Sequence, residues 1–151
     1  MYSLTYVSSA SSRFMEGDFE RLSIVSERNN QRDDITGALL FKEGTFMQVL
    51  EGDEAAVCRT FARIASDPRH QGLITMLRGE IQERQFPKFS MRVEQIDATS
   101  VIDPTSDLVK ALLAKSLPTA QALHNLRNPS TALLMTFAGV RRAAVIGNQR
   151  R

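Results

Sequence analysis

Tryptophan is absent from this 151-residue chain, cysteine occurs once, at Cys58, and histidine only at His70 and His124. A single cysteine excludes an intrachain disulfide, and so few thiol and imidazole groups argue against a zinc site of the usual kind. Long apolar runs are missing too. No window approaches the roughly 18 apolar residues needed to span a bilayer, and Met1-Tyr2-Ser3-Leu4 lacks a basic region leading into an apolar stretch. A cytoplasmic protein without membrane attachment is expected. The chain also has no GxSxG elbow, no HExxH and no glycine-rich phosphate loop of the GxGxxG or Walker type. No Cys–His or carboxylate pair can be placed by spacing, so enzymatic activity is not expected. Glu51 and Asp53 read as turn residues that serve capping and solubility.

Acidic residues are missing from one end. Beyond Asp107 there is no Asp or Glu, while Lys110, Lys115, Arg127, Arg141, Arg142, Arg150 and Arg151 carry +7. Residues 1–107 hold the other 12 basic and all 17 acidic side chains. A basic end can meet an acidic partner protein, nucleic acid or an anionic surface. The charges are thinly spread and not interleaved with aromatics, so nucleic acid is not expected, and a solvated tail or one lying on its own acidic domain is the plainer reading.

With 42% hydrophobic and 24% charged residues the chain can fill one core. A domain over residues 1–95 is expected, followed by a helical extension over 96–151 that packs on the sheet or mediates oligomer or partner contacts. Ser3 to Ser8 reads as a strand with Leu4 and Tyr6 on one face. Asp18 is the expected N-cap of a helix with an apolar stripe of Phe19, Leu22 and Val25, and Asn29-Asn30 lies where that helix should stop. Gly37–Phe41 and Thr45–Leu50 form a hairpin around Lys42-Glu43-Gly44, with Phe46, Gln48 and Leu50 sharing a face. Asp53 is placed as cap of a second helix carrying Val57, Phe61, Ile64 and Ala65, ended by Asp67-Pro68. Leu73–Ile81 and Phe89–Val93 read as two further strands, the latter with Phe89, Met91 and Val93 on one face. Val109–Leu117 and Ala132–Val145 read as C-terminal helices, and Leu133, Leu134 and Phe137 need cover, which favours a homo-oligomer.

The order βαββαββ with right-handed crossovers predicts an α+β, ferredoxin-like sheet with two helices on one face. The first and third strands then lie side by side, bringing Tyr6 to Gln48. A cleft opens between the helices, walled by aliphatic residues such as Leu22 and Ile64. Each polar residue here has an ordinary explanation. Tyr6 can be a core tyrosine, Asn29-Asn30 a left-handed helix cap, and Asp67 with Arg69 a solvated ion pair. Gln48 is harder to dismiss, because a buried amide must satisfy two donors and an acceptor. Together, amides at a polar edge and aliphatic walls suit a flat heteroaromatic with a carbonyl and an N–H at one edge, the form of a flavin ring. Arg63, Asp67, Arg69 and His70 could serve its polar edge, ribityl chain or phosphate.

The motifs Leu4-Thr5-Tyr6-Val7-Ser8, Asn29-Asn30 with Ile35-Thr36-Gly37, Phe46-Met47-Gln48-Val49-Leu50-Glu51-Gly52, Asp67-Pro68-Arg69-His70, and Arg84-Gln85-Phe86 with Phe89-Ser90-Met91 resemble the BLUF family in order and spacing. The resemblance covers about residues 1–95. It implies a blue-light photoreceptor holding FAD noncovalently between the two helices, with FMN or riboflavin possible in the same site. By that resemblance Tyr6 is the electron and proton donor, Gln48 the switching amide, Asn30 a holder of the flavin polar edge and Met91 the partner on the last strand. Asn29, Arg63 and the other cleft residues would be further flavin contacts. Many members carry tryptophan where this chain has Phe89. Only about fifty residues follow, so a short stand-alone member signalling through a separate downstream protein is expected. The alternatives are a ferredoxin-like ligand-binding regulatory module without photochemistry, and a flavin-dependent redox enzyme.

Overall fold

The computed structural model describes residues 1–96, so the expected helices Val109–Leu117 and Ala132–Val145, the basic end and Leu133, Leu134 and Phe137 lie outside the described residues. The element order is β1 (Tyr2–Ala10), α1 (Asp18–Arg32), β2 (Thr36–Lys42), β3 (Thr45–Gly52), α2 (Glu54–Ala65), β4 (His70–Glu80) and β5 (Arg92–Ile96). The strands form one sheet in the order β4-β1-β3-β2-β5, with β1 antiparallel to β3 and β4, and β5 parallel to β2. This is the expected ferredoxin-like α+β arrangement with a fifth strand. Among the described residues no helix is long and apolar enough to cross a membrane.

Alternation along the strands decides the core. Leu4, Tyr6, Leu39, Phe46 and Leu50 pack with Ala56 and Val57 of α2 in one buried cluster, which Leu22 of α1 and Ile64 of α2 complete from its edge. The opposite face carries Ala38, Leu40, Met47 and Val49, which are buried as well. The β2–β3 hairpin closes through Glu43 (φ 48°) and Gly44 (φ 77°), two left-handed residues whose twist matches that of the strands. Gly37 is fixed by a close approach, since a Cβ there would stand 1.9 Å from the Val49 carbonyl oxygen.

The helix boundaries correct two sequence expectations. Left-handed Gly17 takes the N-cap position of α1, and Asp18 is the first helical residue, its carboxylate accepting from the Met15 N–H at 2.8 Å. Asn29 and Asn30 do not cap the other end, because α1 runs on to Arg32. The left-handed residue is Asp34 (φ 50°), with the Asp33 N–H returning to the Asn29 carbonyl and the Ile35 N–H to the Asn30 carbonyl. Both asparagines therefore occupy the last full turn and project their amides sideways. Asp53 caps α2 as expected, accepting from Ala55 and Ala56.

A third correction concerns the last strand, which begins at Arg92, so Phe89 and Met91 precede it. Pro87 follows Phe86 in a turn closed from the Phe89 N–H to the Phe86 carbonyl, and parallel pairing with β2 starts only at Ala38 and Arg92. Glu51 likewise is no turn residue. It lies within β3 and is fully buried.

Candidate functional site

Antiparallel register sets Tyr6 directly opposite Gln48 on the helix-covered face. The Tyr6 hydroxyl donates to Gln48 Oε1, and Gln48 Nε2 donates to Met91 Sδ at 3.4 Å. All three side chains are buried. Burial pushes the Tyr6 phenol far above its ordinary value of 10, and the nearby Asp67 charge adds to the effect. The phenol is held neutral, and its proton is committed to the amide oxygen.

In front of Gln48 a slot opens between α1 and α2, with an empty volume of about 540 Å³ counting the part open to solvent. Helix α1 lines it with Leu22, Val25, Ser26, Asn29 and Asn30, because residues three and four apart share a helix face. Helix α2 contributes Thr60, Arg63 and Ile64, the turn into β4 adds Asp67 and Arg69, and the first residue of β4 adds His70. Leu22, Val25 and Ile64 supply aliphatic walls, while Asn29, Asn30 and Gln48 form an amide edge. Asn30 Nδ2 donates to the Ser90 carbonyl at 2.9 Å, which ties the slot to the residue before Met91 and leaves Asn30 Oδ1 as the end that can accept from a ligand.

The charged residues are arranged in pairs. Arg63 Nη2 donates to Asp33 at the end of α1 and to Thr60 Oγ1, each at 2.8 Å, so a single guanidinium joins the two helices. Hydrogen bonds from Arg32 and Arg63 hold the Asp33 carboxyl well below the usual carboxylate range. Arg69 grips Asp67 through Nε and Nη2, the closer contact being 2.6 Å, and its hydrogen bonds lower the Asp67 pKa. His70 meets the Ser8 hydroxyl through Nδ1 at 2.9 Å and lies 4.6 Å from the Phe46 ring. Burial lowers the His70 pKa, with Asp67 opposing and Arg69 reinforcing the shift.

All eleven residues expected at the site fall in this one region. Nine line the slot, while Tyr6 and Met91 stand behind Gln48 as its hydrogen-bond partners. Ser26, Thr60 and the slot role of Val25 were missed. Helical spacing could have found them, since Val25 and Ser26 follow Leu22 by three and four residues and Thr60 precedes Ile64 by four. Aliphatic walls, an amide edge and slot arginines that each carry a carboxylate fit a planar, largely uncharged heteroaromatic, as a flavin ring is.

Residues 1–92 match the family described as BLUF, sensors of blue-light using FAD. The chain is 31% identical over 137 residues to the photoactivated adenylate cyclase subunit beta of Euglena longa, a match covering 90% of this chain and 15% of that protein. It thus spans only a small part of that relative's length. Among solved structures, BlrB, a BLUF protein in its dark state, superposes with a TM-score of 0.63 at 31% identity, covering 91% of this chain and 95% of that one. Klebsiella pneumoniae BlrP1, solved with FMN and cyclic diGMP, gives a TM-score of 0.73 at 28% identity over 92% of this chain and 34% of that one. Since the family match runs through every slot residue and on to Met91, this chain belongs to the BLUF family of blue-light sensors that use FAD.

Proposed function

We propose that Tyr6, Gln48 and Met91 are the moving parts of a blue-light switch whose flavin lies in the slot between α1 and α2. Bound there, FAD would supply light absorption and the oxidising power of its excited state, and FMN or riboflavin could take the same place. Leu22, Val25 and Ile64 hold the ring system, Asn29, Asn30 and Gln48 meet its polar edge, and Arg63, Asp67, Arg69 and His70 serve the edge and the chain beyond it. The observation that carries the reading is the continuous relay from the Tyr6 hydroxyl through the Gln48 amide to Met91 Sδ.

The relay sets an order of events. Tyr6 is a neutral phenol in a site that resists its ionisation, so it would pass an electron to the excited flavin before losing its proton. Loss of that electron makes the phenol a strong acid, and its proton leaves along the existing bond toward Gln48 Oε1. As the electron and the proton return to Tyr6, Gln48 would rotate or tautomerise, presenting a donor to the ligand edge and releasing Met91. The released contact biases the segment before β5, by no more than the difference in contact energy between the two states.

Output then passes to a downstream signalling protein, and the cyclase relative is an example of an effector joined to such a domain. We place the sensor in residues 1–95 and give the extension 96–151 the part of packing on the sheet or of mediating oligomer or partner contacts, with a cytoplasmic homo-oligomer as the assembled form. The deciding experiment is an absorption spectrum of the purified protein before and after blue light. A flavin spectrum with a small red shift that reverses in the dark is expected. A colourless protein, or bound flavin without a shift, overturns the reading.

A further inference from the structure

Glu51 follows Gln48 by three residues on β3 but points to the opposite face of the sheet. It is fully buried, an expensive place for an acid unless its oxygens are used. Its Oε2 accepts from two consecutive backbone amides, Gln85 N–H at 2.8 Å and Phe86 N–H at 3.0 Å. Those amides lie within the irregular segment between β4 and β5, which ends at Met91. Arg84, next to them, donates to Thr36 Oγ1 at 3.1 Å, to the Glu51 carbonyl at 3.3 Å and to Asp34 at 2.8 Å. From this clamp the segment wraps around the start of β2, where the Gly37 N–H donates to the Phe89 carbonyl at 3.0 Å. It arrives on the helix side with Ser90 held by Asn30 and Met91 by Gln48.

We propose that Glu51 is a positioning residue of the switch, its carboxylate fixing the start of segment 84–91 so that Met91 Sδ stands at the Gln48 amide. The inference rests on the photochemical reading above. The segment is tied to β3 at Glu51 and again at Gln48, with Gly37 and Asn30 holding Phe89 and Ser90 between those two points. A carboxylate accepting from two adjacent amides orders a loop far more tightly than apolar contacts with Phe86 alone. When Gln48 turns, Met91 loses its donor while the Glu51 clamp stays closed, and the clamp keeps the sulfur within reach for the return.

Dark recovery of the red-shifted state is the test, because a purely structural role would change melting temperature and leave recovery alone. Glu51→Ala is expected to keep flavin and the red shift while altering the recovery rate by about tenfold, the scale of one charge-assisted hydrogen bond. Glu51→Gln, which retains an accepting oxygen, is expected to stay within about threefold of wild type. In a Met91→Ala background, Glu51→Ala is expected to add less than about twofold, since both changes act through one contact. Wild-type recovery in Glu51→Ala, or an undiminished effect in the Met91→Ala background, overturns the proposal. Should Glu51→Ala not fold, amide exchange on the wild-type protein decides. Slow exchange at Gln85 and Phe86 in the dark is expected, and rapid exchange there rejects the clamp. A wild-type protein that never shifts refutes the photochemical reading instead, and the exchange measurement still judges the clamp separately.

Discussion

Tyr6 and Gln48 are register partners across the β1–β3 ladder, and the phenol donates to the amide oxygen facing it. Neighbouring strands in a sheet lie about 4.8 Å apart. Donor and acceptor are therefore held by backbone pairing on both sides and need little side-chain reach.

Tyr6→Phe should abolish the photocycle while flavin stays bound, because the ring still fills its place against Phe61 and only the oxidisable hydroxyl is gone. The same change leaves Gln48 Oε1 buried without its donor, at a cost of about 1 to 3 kcal/mol. Light-minus-dark spectra and a thermal melt of the same sample read both effects.

Gln48→Leu should remove the red shift, since no amide remains to present a donor to the ligand edge. The Tyr6 hydroxyl, fully buried, then lacks its acceptor, and a stability loss of about 1 to 3 kcal/mol is expected. Normal photocycling in this variant would reject the assignment of Gln48 as the switching amide.

Acidification should weaken the fold through His70. Its folded pKa lies below the ordinary 6.5, so the unfolded chain takes up this proton first. Stability is then complete above about 6.5 and is lost as pH falls through that value toward the folded pKa. Asp67, whose pKa is also lowered, adds a loss only below its ordinary 3.8. Melting temperatures between pH 7.5 and 5.5 should fall in the wild type and change less in His70→Gln. Equal slopes in the two proteins would show that another group is responsible.

Gly37→Ala should be severely destabilising. The added methyl would meet the Val49 carbonyl at 1.9 Å, and relief requires β2 and β3 to separate beside the Phe89 contact. A loss of at least about 2 kcal/mol in denaturant unfolding is expected.

Much of the site was readable because it is built from periodic elements. Strand alternation put Tyr6 and Gln48 on one face, and the order of strands and helices put Leu22 and Ile64 on the walls of one cleft. What stayed hidden depends on partners distant in sequence or on unusual backbone. Glu51 looks like a solvent residue near a turn because the amides that satisfy it lie 34 and 35 positions away. Asn29 and Asn30 look like a helix end because the left-handed position is taken by Asp34, a residue less often found there than glycine. Met91 looked like part of a strand because the apolar alternation of Phe89, Met91 and Val93 continues through a turn that only tertiary hydrogen bonds reveal.

The strand order gives the sheet a mechanical gradient. Tyr6 and Gln48 sit on β1 and β3, each flanked by hydrogen-bonded neighbours on both sides, whereas Met91 leads into β5 at the rim. Central strands open only with the whole fold, while a rim strand with a single ladder yields at far lower free energy. A disturbance created at the stiff centre therefore finds its most compliant outlet through Met91, and illumination should loosen amide protection in β5 while leaving β1 and β3 as rigid as in the dark.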